Sequence, residues 1–386
     1  MMETYVDDAD LWQTSNTIPR GMTPVQSLQQ LAQKWYDLLE GTGGTLGSNK
    51  CGFSRIDFEW ENGRYSYAEN TEEKLYLQTR EGPVEIKQVS ATTGTREVGI
   101  RLAPDGNNRD EFKYRMAQAR TAKSNIMAAP FNKYEAKIAH DRFWWPAIGW
   151  PLPVTTFTKE ECNKIQQKFQ SAFMNKMGYN KRTPRAIRYG PKKYGGKALF
   201  TTWHEQGIGQ VELCIKHLRK EDDLAEYIHT SRTHLQLESG LGTPVLLGGY
   251  KFVKQYTTTC FLKSMWAYLD DNDLKMFIPD KWLPLKPRTG DSHIMELAKD
   301  QKYGTAKLRQ VQMCRIYLKV TTMSDITDTE GRCILRKVWK GESPPDRTPI
   351  FNYANQGQPP PTAWTTFRNL LRTTMSNVQD HVLENR

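Results

Sequence analysis

Two adjacent carboxylates near the beginning of the chain, Asp7 and Asp8, have the chemistry to hold a metal ion. They follow Tyr5 and precede the apolar pair Leu11-Trp12, an order that predicts a β-hairpin with the acids at its bend. Hard cations such as Mg²⁺ prefer oxygen ligands, and two-metal phosphoryl transfer needs carboxylates on a rigid backbone. Asp-Asp pairs are common, however, and two more occur at 222–223 and 270–271. The pair alone does not specify a reaction.

A second chemical signal is an interval that contains no acid, between Glu161 and Glu205. Tyrosines are interleaved with its bases. Lys and Arg bind phosphates, and aromatic rings can pack on sugars or bases. A run of charge is often only a solvated face, but the absence of acids favours contact with nucleic acid. The ten bases are Lys164, Lys168, Lys176, Lys181, Arg182, Arg185, Arg188, Lys192, Lys193 and Lys197.

Other kinds of site receive no support from the residue pattern. The seven histidines have no metal-ligand spacing, and the six scattered cysteines contain no C-x-x-C pair. This cysteine usage predicts reduced thiols in the cytoplasm or nucleus and argues against a zinc module. No nucleophile triad or phosphate-binding glycine loop occurs. No apolar run approaches the length of a membrane span, so we expect no membrane partner.

The composition predicts a folded, basic protein of two or three domains. The chain has 386 residues, of which 38% are hydrophobic, so a packed core is expected. Lys and Arg total 54 against 43 acids, which gives a net charge of +11. A basic excess of this size favours a polyanionic partner.

Three capping boxes predict the starts of helices that position these residues. They begin at Thr23, Asn132 and Thr158, each followed three positions later by Gln or Glu. The alternation of aromatic residues around Asn62-Gly63 predicts a hairpin with a type I′ turn. Val98, Ile100 and Leu102 predict another strand, in which Gly99 indicates either close approach of another backbone or a bulge.

The second half of the chain is predicted to be mainly helical. Gly207-Ile208-Gly209-Gln210 lacks the third glycine of a dinucleotide loop and is interpreted as a turn into a helix. Residues 308–321 predict a longer helix, or a helix-to-strand passage, with Arg315 and Lys319 exposed. The pattern gives no role for residues 241–386.

The order of these features resembles the second half of a reverse transcriptase palm. Residues 5–8 match the family's Tyr-x-Asp-Asp motif, its Asn-x-x-Lys-like element falls near Asn49-Lys50, and Val98-Gly99 resembles its Leu-Gly primer-grip hairpin, with Val in place of Leu. Residues 191–196 resemble the Pro…Gly-Gly segment that follows the thumb in non-LTR, LINE-like retrotransposon polymerases. The resemblance covers residues 1–240.

The resemblance implies an α+β fold in three parts. These are a partial palm over 1–104, with antiparallel strands and a covering helix, a helical thumb over 105–240, and a mixed, mainly helical extension over 241–386. It also implies Mg²⁺ or Mn²⁺ bound by Asp7 and Asp8. Lys50 would act as general acid on the leaving pyrophosphate, unless it is only a surface lysine after a turn.

In such an enzyme Val98-Gly99 would support the primer, and the ten bases would contact the RNA template and DNA primer. The dNTP would be the second substrate. A Tyr-x-Asp-Asp hairpin normally lies deep inside its domain, so we expect this chain to be a fragment of an RNA-directed DNA polymerase. The alternative is a catalytically inactive remnant that still binds nucleic acid. A structural protein unrelated to polymerases is the third possibility.

Overall fold

A computed structural model describes most of the chain, as a mixed α+β fold with mainly helical content. The chain divides into two compact units, one of Met1–Glu59 with Ser66–Glu111 and one of Trp60–Tyr65 with Phe112–Arg386. The presence of many helices and several short strands confirms the predicted α+β class. The described residues are 2–5, 8–13, 18–47, 50–61, 64–68, 73–180, 182–279, 288–342, 357–375 and 382–383.

The strands are short and lie mostly in the first unit. The described strands form five small sheets: β1 with β2, β4 with β5, β8 with β9, β10 with β11, and β3-β7-β6. The bounds are β1 Met2–Tyr5, β2 Asp8–Leu11, β3 Gly52–Phe53, β4 Phe58–Glu61, β5 Arg64–Tyr67, β6 Leu75–Thr79, β7 Gly82–Gln88, β8 Thr95–Glu97, β9 Ile100–Leu102, β10 Ile334–Leu335 and β11 Val382–Leu383.

Helix α1, Pro24–Gly41, covers the three-stranded sheet. Its start is the predicted capping box: the Gln26 N–H donates to Thr23 Oγ1 at 3.2 Å, and the Thr23 N–H donates to Gln26 Oε1 at 3.0 Å. Val25 on this helix and Leu75, Leu77 and Ile86 on the sheet are buried together. The covering helix is confirmed. The sheet is not purely antiparallel, however, because β3 runs parallel to β7.

The second unit is built almost entirely of helices. None of the described helices has the length and apolar character needed to span a membrane. Helix α2 begins in the first unit. The bounds are α2 Arg109–Ala128, α3 Lys133–Ala139, α4 Trp145–Gly149, α5 Lys159–Lys176, α6 Arg185–Tyr189, α7 Thr202–Lys220, α8 Asp223–Ser239, α9 Tyr250–Val253, α10 Phe261–Asp271, α11 Ile294–Asp300, α12 Thr305–Leu318, α13 Arg336–Lys340 and α14 Pro361–Thr374.

The helix that begins after Asn132 continues past Pro146, contrary to the expectation that this proline ends it. A π-helical segment, His140–Trp144, joins α3 to α4. The Trp145 N–H donates to the His140 carbonyl, five residues back. Because Pro146 then lies in the first turn of α4, its missing N–H is tolerated.

Helix α7 also differs from its prediction, because Gly207 and Gly209 lie inside it and form no turn. A Cβ at Gly207 would lie 2.0 Å from Cγ of Tyr268 on α10, and one at Gly209 would lie 2.7 Å from Cγ of Pro153. The glycines therefore allow α7 to pack closely against two neighbours. That requirement outweighs the low helix propensity of glycine.

The end of α8 is held by Arg315, which is fully buried and not exposed as predicted. Its Nη2 donates to the carbonyls of Leu237 at 2.6 Å and Glu238 at 2.9 Å, and its Nη1 donates to the carbonyl of Val320 at 3.2 Å. Its Nε donates to Gln312 Oε1 at 3.0 Å. The last carbonyls of a helix lack partners within the helix, so the guanidinium satisfies them.

Arg315→Met should lower the free energy of unfolding by about 3–5 kcal/mol, because it removes four buried hydrogen bonds, three of them to backbone carbonyls. Arg309→Met is the matched control, since Arg309 lies on the exposed side of the same helix. Chemical denaturation of the two variants and the parent measures the difference. Equal stability of the two variants would contradict the structural role of Arg315.

Candidate nucleic-acid interface

The structure places the acid-free interval on helix α5 and on the segment that follows it. We define the basic loop as residues 179–199, which contains α6 and a 3₁₀ turn, Lys192–Tyr194. The third predicted capping box starts α5: the Glu161 N–H donates to Thr158 Oγ1 at 3.2 Å, and the Thr158 N–H donates to Glu161 Oε2 at 2.9 Å. Lys181 lies outside the described residues.

The basic loop is fixed to α5 by polar and apolar contacts. The Tyr189 hydroxyl accepts hydrogen bonds from Nε2 of Gln166 at 2.9 Å and of Gln170 at 2.7 Å. Leu199, at the end of the loop, is buried in the same core as Phe169 of α5. The loop therefore has a defined position on the helix.

Two glycines let the loop fold tightly on itself. A Cβ at Gly196 would lie 1.9 Å from the Gly190 carbonyl oxygen, and one at Gly190 would lie 2.2 Å from the Ala186 carbonyl oxygen. Backbone bonds close the loop, from the Lys197 N–H to the Ile187 carbonyl at 2.7 Å and from the Ala198 N–H to the Gly190 carbonyl at 2.9 Å. No larger residue fits these two positions without moving the backbone.

Three of the predicted bases make contacts inside the protein. Lys176 Nζ donates to the Ala129 carbonyl at 2.6 Å, and Arg188 Nε donates to the Thr183 carbonyl at 2.6 Å. The Lys197 ammonium lies 5.1 Å from the centre of the Tyr179 ring. The Arg188 and Lys197 contacts help to hold the loop, and the Lys176 contact joins the end of α5 to the residue after α2. We therefore assign these side chains a positioning role and not direct contact with a ligand.

Four other bases, Arg182, Arg185, Lys192 and Lys193, are exposed on the loop. Among the residues that the structure describes, none of the four forms an ion pair with a carboxylate. Tyr194 follows Lys193 directly and is 78% exposed, and the Lys193 ammonium lies 5.5 Å from its ring centre. The loop thus presents uncompensated positive charge beside an accessible aromatic ring.

Lys164 and Lys168 are also exposed, but they lie on another side of α5. Gln166, which holds the loop, is two positions from each lysine, a rotation of about 200° around the helix. The predicted set of ten is therefore not one continuous surface. The four loop bases lie on one closed segment of the chain, and the two helix lysines lie on a different side of α5 from the residue that holds this segment.

A histidine near this loop adds no positive charge at neutral pH. Burial lowers the pKa of His204, the charge of Asp271 acts in the opposite direction, and the nearby Lys159 and Arg185 lower the pKa further. His204 is therefore neutral at pH 7, and the charge of the surface comes from Lys and Arg.

The β-hairpin that was predicted around Asp7 and Asp8 is present as a pair of strands in the first unit, and the structure describes it in part. Strands β1 and β2 pair antiparallel, with Tyr5 opposite Asp8, and Val6 and Asp7 come between these two residues in the sequence. Val6 and Asp7 lie outside the described part, as do the side chains of Tyr5 and Asp8. Within the described part, no group of three or more His, Cys, Asp or Glu side chains could hold a metal ion.

Lys50 follows a turn and is exposed, and its N–H donates to the Gly47 carbonyl at 2.8 Å. Its neighbour Asn49 lies outside the described residues. The general-acid role of Lys50 therefore stays a prediction.

Val98 and Gly99 form the bend of the β8–β9 hairpin, and the prediction that they continue a strand is wrong. Glu97 pairs with Ile100, and both bend residues have positive φ, +44° and +86°. Two residues with positive φ are typical of a type I′ turn. A Cβ at Gly99 would meet no atom within 4 Å, so the glycine serves the turn and not a close approach. A β-branched residue rarely adopts positive φ, which makes Val98 a strained position.

The rigidity of the basic loop can be tested without changing its charge. Gly196→Ala places a methyl group against the Gly190 carbonyl, so the loop must open, and we expect about threefold to tenfold weaker binding of a labelled DNA duplex. Gly248→Ala is the control, because a Cβ there meets nothing within 4 Å. Fluorescence anisotropy measures both variants. Parent-like affinity of Gly196→Ala would show that the loop conformation is irrelevant to binding.

No protein-family model, curated protein or solved structure matches this chain. The resemblance to reverse transcriptases therefore rests on the short motifs at 5–8, 49–50, 98–99 and 191–196.

Proposed function

We propose that this chain binds nucleic acid, with little sequence preference, through the exposed bases of the basic loop. The observation that supports the proposal is the group of Arg182, Arg185, Lys192 and Lys193, which are exposed and have no acidic partner among the described residues. A phosphate backbone is the partner that such a surface fits best, because each bound phosphate releases condensed counterions.

The form of the loop favours this binding. Its backbone bonds, the contacts of Tyr189 with α5 and the close approach of Gly190 and Gly196 fix the loop before any ligand arrives. Less conformational entropy is then lost on binding. Tyr194 provides an exposed ring on which a base or sugar can pack in a sequence-tolerant way.

Binding should depend steeply on salt. For duplex DNA, log K falls against log salt concentration with a slope of about −0.9 per neutralised phosphate. Replacing Arg182, Arg185, Lys192 and Lys193 together by Ala should weaken binding and make the slope less negative by about 3.6, at one neutralised phosphate for each base. Anisotropy titrations of one labelled duplex over a range of salt concentrations measure this change.

The matched control replaces four exposed bases outside the loop, Lys216, Arg219, Lys220 and Lys251, by Ala. This variant has the same net charge as the loop variant. If both variants lose the same affinity and slope, the net charge explains binding and the loop has no special role. Parent-like binding by the loop variant would remove the loop from the interface.

The second candidate function is RNA-directed DNA polymerisation, in which this chain supplies part of a retroelement enzyme with a partial palm and a thumb. The observation that favours it is the two-residue connection between Tyr5 and Asp8, which is compatible with acids at the tip of a tight hairpin. Asp7 and Asp8 would then bind Mg²⁺ or Mn²⁺, Lys50 would protonate the leaving pyrophosphate, and Val98-Gly99 would support the primer.

Primer extension on an RNA template with Mg²⁺ and dNTPs tests this candidate. The assay uses the chain alone and the chain mixed with a polypeptide that supplies the remaining palm strands. If Asp8 binds catalytic metal, Asp8→Asn should abolish extension, while Asp10→Asn on the same strand should retain it. Nucleic-acid binding should persist in both variants. If nucleic acid is bound but no primer is extended, either by the chain alone or by the chain with the added polypeptide, the result would favour the alternative, an inactive nucleic-acid-binding remnant.

A further inference from the structure

An open groove of about 420 Å³ lies in the second unit, between helix α7 on one side and α4 with the residues that follow it on the other. Its floor and walls combine aromatic and acidic side chains. None of the lining residues is Lys or Arg, although bases exceed acids in the chain as a whole, 54 to 43. The groove therefore has the opposite charge to the protein that surrounds it.

The acidic side of the groove is formed by Glu205 and Glu212. They are seven positions apart on α7, two turns along the same side, so their backbones are separated by about 10.5 Å. Neither carboxylate forms an ion pair within the part of the chain that the structure describes. Burial raises the pKa of Glu205, and the charge of Glu212 raises it further. A cation bound in the groove would lower the pKa of Glu205 and so oppose the effects of burial and of Glu212.

The aromatic side is formed by Trp145 and Trp150. The Trp145 ring is fixed, because it stacks on Phe200 with the ring centres 4.7 Å apart and an interplanar angle of 14°. Trp150 is 64% exposed, and Ile208 on the opposite wall is 43% exposed. Tryptophan faces attract cations, and the apolar stem of a Lys or Arg side chain packs on such rings.

We propose that this groove binds an extended, proline-rich peptide segment that carries two basic residues three positions apart. In a polyproline II helix, positions i and i+3 lie on one side about 9.3 Å apart, close to the separation of the two glutamates. In a β-strand the same-side separations are about 6.6 and 13 Å, which fit less well. Aromatic-lined grooves are a recurring receptor for proline-rich segments. The proposed function uses other residues, so the two proposals are independent.

The probe is a fluorescein-labelled synthetic peptide with the sequence Pro-Pro-Lys-Pro-Pro-Lys-Pro-Pro, titrated with the full chain. We expect saturable binding. The double variant Glu205→Gln/Glu212→Gln should bind about tenfold more weakly, and Trp150→Ala about fivefold more weakly. Glu226→Gln and Tyr227→Ala, at exposed positions of α8, are the matched controls and should bind like the parent.

Two control peptides test the chemistry of the ligand. One has Gln in place of both lysines, and the other has the two lysines adjacent to each other; both should bind more weakly than the probe. Circular dichroism and thermal unfolding establish that each variant is folded. Absence of saturable binding, an unchanged affinity in the double glutamate variant, or equal affinity for all three peptides would overturn the proposal.

Discussion

The helical core of the second unit depends on one buried guanidinium. Arg315 holds the end of α8 by donating to backbone carbonyls in the interior, where no water competes for those acceptors. Gln312, one turn earlier on the same helix, donates to the Glu238 carbonyl at 2.6 Å, and Tyr256 donates to the Ser239 carbonyl at 2.7 Å. These hydrogen bonds join α12 and the segment after α9 to the C-terminal end of α8. A planar group with five donors suits this task, and a lysine would leave acceptors unsatisfied.

Hydrogen bonding to backbone carbonyls also distinguishes two kinds of base in the acid-free interval. A cation that reaches a carbonyl, as Lys176 and Arg188 do, becomes part of the protein's own hydrogen bonding. A cation that remains in water, as at Arg185 and Lys192, keeps its capacity for an external anion. Composition alone cannot make this distinction, because it depends on which carbonyls lie nearby in the folded chain. The groove beside Trp150 is the complementary case, in which carboxylates remain without a described basic partner.

Local features were predictable from the sequence, and features that depend on distant contacts were not. The capping boxes at Thr23, Asn132 and Thr158 formed as predicted, because each uses only atoms within one turn of helix. Arg315 was predicted to be exposed, because neither its helical spacing nor its charge reveals carbonyls almost eighty residues away. For the candidate site, the acid-free interval indicated which segment to consider. The contact between Gly190 and Gly196 has no local signature beyond the glycines themselves, and so the rigidity of the loop could not be foreseen.

The closed backbone of the basic loop also affects how a protease meets this chain. Trypsin cleaves after Lys and Arg, and exposed loops rich in these residues are ordinarily its first targets. Here the N–H groups of Tyr194 and Gly196 both donate to the Pro191 carbonyl, at 3.0 and 3.1 Å, within the compact turn. A protease needs the chain extended across its active site, so cleavage at Lys192 or Lys193 requires this turn to open first. The rate of nicking there would report the local opening equilibrium of the loop, separately from the unfolding of the core.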